Sequence, residues 1–102
     1  MDLESMFVSH WWLRNPAQVA GMVEAIRGGS LLPPITVARW DDGPSQVIDG
    51  HHRAVAYWLA GIRNLGWGEY VLLEDAPFWA PQRGTVPELV ERFRQGAAGR
   101  KR

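Results

Sequence analysis

Apolar residues recur at helical spacing, three and four residues apart, in three separate stretches of this chain. The first stretch comprises Val19, Met22, Val23 and Ile26. The second comprises Val55, Trp58, Leu59 and Ile62, and the third comprises Val86, Leu89, Val90 and Phe93. The pattern predicts three helices, each with one apolar face packed against a core.

Residues at the ends of these stretches indicate where the helices begin and end. Asn15-Pro16-Ala17-Gln18 predicts a capped start for the first helix, with Pro16 at the first helical position and Gln18 closing the cap. Gly28-Gly29 predicts the end of that helix. Thr85-Val86-Pro87-Glu88 has the form of a capping box and predicts the start of the last helix.

The segments between the helices have the composition of strands. Ile35 to Arg39 follows the extended Pro33-Pro34 pair, and the turn Asp41-Asp42-Gly43-Pro44 predicts that residues 45–49 return as its hairpin partner. A further β-rich run surrounds residues 70–73. Met6-Phe7-Val8 is a candidate short strand within an otherwise ambiguous start.

These elements predict an α+β fold, with a small mixed sheet of about four strands and about three helices in one domain over residues 1–95. Residues 96–102 are predicted to form a flexible basic tail that ends in Arg100-Lys101-Arg102. Eleven basic and eleven acidic residues cancel, so no overall field draws the protein to nucleic acid or membrane. No apolar run approaches ~20 residues, which favours a cytoplasmic protein.

Five polar or glycine residues, Asp49-Gly50-His51-His52-Arg53, join the predicted strand 45–49 to the second helix. A glycine turn between a strand and a helix start aims unpaired backbone N–H groups, and the positive end of the helix dipole, at an anion. Two imidazoles and a guanidinium add side-chain donors suited to phosphate oxygens. We therefore predict that Gly50, His51, His52 and Arg53 bind phosphate, in preference to a turn that is polar by chance.

Asp49 and His51 are the candidate catalytic residues of this turn. Asp49 ends a strand at the mouth of the site, where a carboxylate suits a Mg²⁺ ligand or a general base, although an Asp before Gly equally often caps its turn. A transition-metal site built from Asp49, His51 and His10 is a less favoured alternative. Arg14 and Arg39 are candidate second phosphate contacts, although an exposed arginine more often only solvates the surface.

The surrounding layout adds a family resemblance to this turn. Leu32-Pro33-Pro34-Ile35-Thr36-Val37, a short hairpin, Val47-Ile48 leading into the turn, and a strand near Val71 resemble the ParB/sulfiredoxin-like superfamily. The resemblance covers about residues 15–75, and its most specific part is the Asp-Gly-His-His-Arg turn. It implies a nucleotide, ATP or CTP, whose phosphates contact Gly50, His52 and Arg53.

The departures from the family pattern limit what the resemblance implies. His51 stands where sulfiredoxins have their catalytic Cys, and the chain has no cysteine, so sulfinic acid reduction is excluded. A serine kinase of the superfamily begins its turn Asp-Gly-His, as here, which implies a metal-facing or base role for Asp49. Where sulfiredoxins place Lys, Ser and Thr against the nucleotide, the first helix offers Gln18, Gly21 and Ala25.

Three functions follow as expectations. The first is a nucleotide-binding protein with Mg²⁺-dependent NTPase or kinase-like phosphotransferase activity. The second is a DNA-associated protein of the partition or nuclease type, aided by the basic tail. The third is a non-catalytic protein-interaction module, in which Trp11, Trp12 and Trp79 line a pocket or contact a partner. A homodimer is compatible with each of them.

Overall fold

The computed structural model of this chain describes residues 1–40, 43–75 and 81–96. Within these ranges it contains four strands and three helices. In chain order they are β1 (Phe7–Val8), α1 (Gln18–Arg27), β2 (Ile35–Arg39), β3 (Gln46–Asp49), α2 (His51–Leu59), β4 (Tyr70–Glu74) and α3 (Val86–Arg94). The predicted α+β class, with a mixed sheet of about four strands and three helices, is confirmed. Three predicted features lie outside the described residues: Asp41-Asp42 of the turn, Trp79, and residues 97–102 of the tail.

The sheet has the strand order β1-β3-β2-β4. β2 and β3 are antiparallel, as expected of the predicted hairpin, and Val37 faces Val47 across them. β1 is parallel to β3, and β4 is parallel to β2. Because β3 lies beside the two-residue β1, the chain segment that follows β1 passes close to the point where β3 ends and α2 begins.

The core lies where α2 packs on β2 and β3, with α1 and α3 on either side of α2. Seventeen apolar side chains of the described residues are buried, including Val37, Val47 and the fully covered Tyr57. The predicted apolar face of α2 is confirmed: Val55 is buried, and Trp58, Leu59 and Ile62 are partly buried against the core. Ile62 reaches the core from just beyond the helix, because α2 ends at Leu59, Gly61 has φ of 92°, and the Ile62 N–H donates to the Tyr57 carbonyl at 2.9 Å.

The two predicted helix starts had different outcomes. Thr85 caps α3 as predicted: its Oγ1 accepts from the Glu88 N–H, and the Glu88 carboxylate accepts from the Thr85 N–H at 2.8 Å. The predicted cap at Asn15 was wrong, because α1 begins at Gln18 and its N-cap residue Ala17 offers no side-chain acceptor. Gly28 and Gly29 end α1 as expected. In the described part of the chain, no helix is both long and apolar enough to cross a membrane.

Candidate anion-binding site

The turn between β3 and α2 depends on the glycine at position 50. Gly50 has φ of 99°, a conformation that residues with a Cβ rarely adopt. A Cβ at this position would lie 3.1 Å from Nη2 of Arg53, closer than side-chain atoms normally approach. Glycine therefore permits the chain to pass from strand to helix directly beneath the Arg53 guanidinium.

The first turn of α2 leaves backbone donors unpaired. The Ala54 N–H donates to the Gly50 carbonyl at 2.9 Å, and no side chain caps the helix. Among the hydrogen bonds of the described residues, none uses the backbone N–H of His51, His52 or Arg53 as donor. These N–H groups, together with the positive end of the helix dipole, form the arrangement that binds anions at helix starts.

A cleft of ≈ 300 Å³ opens at this helix start. One side is formed by the end of β3 and the predicted turn, namely Ile48, Asp49, Gly50, His51 and His52. The other side is formed by three residues that follow β1, namely His10, Trp12 and Arg14. The structure therefore brings four of the five predicted turn residues into one cleft and adds an opposing wall.

The opposing wall is held in place by the two histidines of the turn. We call residues 9–15 the wall segment. The Ser9 N–H donates to Nε2 of His51 at 3.1 Å, and the Asn15 N–H donates to Nε2 of His52 at 3.0 Å. Each imidazole thus accepts a backbone hydrogen bond from one end of the wall segment, across 42 and 37 residues of sequence respectively.

His51 is a buried, neutral residue. Because Nε2 accepts from the Ser9 N–H, the ring proton is assigned to Nδ1. Burial, reinforced by electrostatic interaction with the neighbouring His10 and His52 rings, lowers the pKa of His51 to about 3. The His10 ring meets it edge-on with centroids 4.8 Å apart. At neutral pH the imidazole of His51 is therefore a weak base whose Nε2 is already engaged, and this geometry supports a structural role for the ring.

His52 is less buried than His51, but its pKa is lowered in the same direction. Its pKa is lowered first by burial and then by the positive charges of Arg53 and Arg14. A neutral imidazole keeps Nε2 available to accept from Asn15. The phosphate contacts predicted for both histidines are therefore supported at their backbone N–H groups, whereas their Nε2 atoms serve the wall segment.

Arg53 is the one residue of the predicted Asp49–Arg53 turn that does not line the cleft. Its Nη1 donates to the carbonyls of Pro33 and Pro34 at 2.8 and 2.9 Å, and its Nη2 lies 3.5 Å from Oδ2 of Asp49. The guanidinium therefore ties the extended segment before β2 to the turn. Its phosphate contact stays a prediction.

Asp49 is the last residue of β3 and its carboxylate faces solvent, with 76% of the side chain exposed. It is the only carboxylate among the described residues that line the cleft. The predicted three-residue metal site is not formed: residues 1–40, 43–75 and 81–96 contain no cluster of three or more His, Cys, Asp or Glu residues able to hold a metal ion. A single exposed carboxylate still suits Mg²⁺, which is commonly held by one or two carboxylates together with substrate phosphates.

The wall segment is the part of the site that sequence analysis undervalued. The sequence favours a surface role for Arg14 over a phosphate contact, and for His10 it favours a structural role over that of a metal ligand. Trp12 was a candidate pocket residue, and it does line the cleft. The segment contains no recognisable motif, and the only local signal was the density of aromatic and basic residues in His10-Trp11-Trp12-Leu13-Arg14.

Comparison of the chain with protein-family models, with curated proteins and with solved structures found no match.

Proposed function

We propose that this protein binds the phosphate group of a small phosphorylated ligand in the cleft at the start of α2, and that the ligand is a nucleotide. The observation that carries the proposal is the set of unpaired backbone N–H groups of His51, His52 and Arg53 at the start of α2, where His51 and His52 line the cleft. An anion there gains hydrogen bonds and the favourable field of the helix start without a conformational change.

Arg14 supplies the full positive charge that such a site needs. It lines the cleft from the opposing wall, and its guanidinium suits two phosphate oxygens at once. The hydrogen bonds from Ser9 and Asn15 hold both ends of the segment that carries Arg14. Because the wall is fixed before the ligand arrives, less conformational entropy is lost on binding.

The catalytic part of the proposal assigns the chemistry to Asp49. Phosphoryl transfer depends mainly on positioning and charge stabilisation, so a donor-lined cleft with one carboxylate is a sufficient minimum. Asp49 would hold Mg²⁺ together with ligand phosphates, where the ion would neutralise phosphate charge, or would accept a proton from the attacking group. We give no proton-transfer role to His51, because its Nε2 accepts from Ser9 and its pKa is about 3.

The test is calorimetric titration of the full chain with inorganic phosphate and with ATP, each with and without Mg²⁺. Arg14→Ala should weaken binding of both ligands by about 10- to 100-fold, the scale of a lost charge-assisted hydrogen bond of ~1.5–3 kcal/mol. Arg63→Ala removes the same side chain from the opposite end of α2, where Arg63 packs on Trp58, and should leave affinity unchanged.

Two results would reject the proposal. One is an affinity in Arg14→Ala equal to that of the unaltered chain, with circular dichroism showing an intact fold. The other is the absence of heat and of any thermal stabilisation with phosphate and ATP, since a ligand that binds only the folded state must raise its melting temperature.

A further inference from the structure

A second hollow of ≈ 510 Å³ adjoins the phosphate cleft on the far side of Trp12 and His10. We propose that it holds the heteroaromatic ring of the same ligand, stacked against Trp12, so that the ligand class is a mononucleotide whose base carries keto oxygens. This inference rests on the proposed phosphate site, because it assigns the remainder of the molecule whose phosphate lies at α2.

The two hollows adjoin each other. His10, Trp12 and Ile48 line both of them. In the proposed binding mode, a ligand anchored by its phosphate at the start of α2 extends past these shared residues into the second hollow. The volume of the second hollow lies within the range of sites for small organic molecules.

Trp12 is held where it can serve as a stacking surface. The hydrogen bond from Ser9 to His51 fixes the start of the wall segment, and His10 packs edge-on against the His51 ring. The Trp12 ring lies 6.3 Å from that of His10, at an interplanar angle of 58°. Its side chain nevertheless stays 42% exposed, so ring surface remains available. Aromatic side chains bind nucleobases by stacking, and a preorganised ring reduces the entropy lost on binding.

The charge of the second hollow defines the kind of ring. Among the described residues that line it, Arg83 is the only formally charged side chain, and there is no carboxylate. A guanidinium offers donors and no acceptor, so it favours a ring that presents carbonyl oxygens and disfavours a cationic group. The balanced charge of the whole chain argues for a single small ligand, since it supplies no extended positive field to hold a nucleic-acid strand.

The experiment compares three probes by calorimetry with the full chain: inorganic phosphate, ribose 5-phosphate and uridine 5′-monophosphate. The unaltered protein should bind uridine monophosphate at least tenfold more tightly than ribose 5-phosphate, a difference of ~1.4 kcal/mol. Trp12→Leu should remove most of the difference between uridine monophosphate and ribose 5-phosphate, lowering the affinity for uridine monophosphate far more than that for ribose 5-phosphate. Trp67→Leu is the matched control, because Trp67 is fully exposed and lines neither hollow.

Arg83→Gln keeps the test decisive if Trp12→Leu fails to fold. This substitution should lower the affinity for uridine monophosphate severalfold and leave the affinity for ribose 5-phosphate unchanged. Equal affinity of the unaltered protein for ribose 5-phosphate and uridine monophosphate would overturn the ring site while leaving the phosphate site intact. Failure of all three probes to bind would instead reject the phosphate site itself. A single-stranded oligonucleotide that bound more tightly than the mononucleotide would overturn the assignment of a small ligand.

Discussion

The two ends of α2 treat their terminal backbone groups in opposite ways. At the carboxyl end, Arg63 donates to the Trp58 carbonyl at 2.7 Å and Arg27 donates to the Leu59 carbonyl at 3.3 Å. The guanidinium of Arg63 also lies 3.7 Å from the centre of the Trp58 ring. Positive side chains thus neutralise the negative end of the helix dipole, and this end is closed by the protein itself.

At the amino end, the protein leaves the equivalent groups open. No side chain caps α2, although the chain caps α3 with Thr85 and Glu88. The polar side chains that could have capped it, those of His51 and His52, turn to the wall segment and accept from Ser9 and Asn15. The two histidines therefore place a wall beside the helix start, and the backbone donors there stay unpaired.

Under the proposed function, the difference teaches how a small domain can present a binding site at the start of a helix. The closed end contributes stability to the helix, whereas the open end lacks that stabilisation in order to keep donors exposed. If this interpretation is correct, changes at the amino end should affect the wall and ligand binding together, and changes at the carboxyl end should affect stability alone.

The largest effect on stability is expected from His51→Ala. The substitution leaves the Ser9 N–H without its acceptor in a buried position and opens a small cavity, so the free energy of unfolding should fall by about 3 kcal/mol. Urea denaturation measures it. His10→Ala, which removes an exposed ring of the same type, should cost less than about 1 kcal/mol. Equal losses in the two variants would show that His51 does not hold the wall.

The change in the free energy of unfolding with pH should be nearly as large as the loss expected from His51→Ala. The folded pKa of His51 is about 3, below its unfolded value of about 6.5, so the unfolded chain takes up a proton first as the pH falls. Stability is therefore complete above pH 6.5 and is lost progressively from there towards pH 3. Between pH 7 and pH 5 the loss from His51 should be ~2 kcal/mol, and His52 shifts in the same direction.

His51→Gln separates this effect from other titrations, because glutamine does not titrate. Its unfolding free energy should change less between pH 7 and pH 5 than that of the unaltered chain. The window above pH 5 also avoids Glu88, whose pKa is lowered from 4.5 by its hydrogen bond with the Thr85 backbone. If the unfolding free energy of His51→Gln changed with pH as much as that of the unaltered chain, His51 would not be the source of the pH dependence.

Several features that depend only on neighbouring residues could be predicted from sequence, although the cap at Asn15 was not among them. The capping box at Thr85 and the end of α1 at Gly28 are made by groups within five residues of each other, so their sequence patterns determine them. The same holds for the β2–β3 hairpin and for the turn at Gly50, where a φ of 99° strongly favours glycine. Each of these signals is local.

The composition of the site could not be predicted in the same way. The sequence predicts that His51 and His52 donate to phosphate, whereas in the structure their Nε2 atoms accept hydrogen bonds from the wall segment. That role depends on β1 lying beside β3, a pairing between residues almost 40 positions apart that no local pattern specifies. Arg53 likewise finds its acceptors 19 and 20 residues away, at Pro34 and Pro33.

The smallest effect is expected from Asp49→Asn, and it tests the one acidic group of the cleft. Asparagine keeps the size and turn hydrogen bonding of Asp49 but removes its negative charge. Because the carboxylate is exposed and repels phosphate only weakly, affinity for phosphate without Mg²⁺ should rise by no more than about threefold, or ~0.6 kcal/mol.

With Mg²⁺, any gain in ATP affinity or any ATP turnover seen in the unaltered protein should disappear, since the metal-facing or proton-accepting carboxylate is gone. Calorimetry with and without Mg²⁺, together with a phosphate-release assay, measures both. Turnover equal to that of the unaltered chain would make Asp49 a turn residue only, and would leave the open end of α2 as a binding site without chemistry.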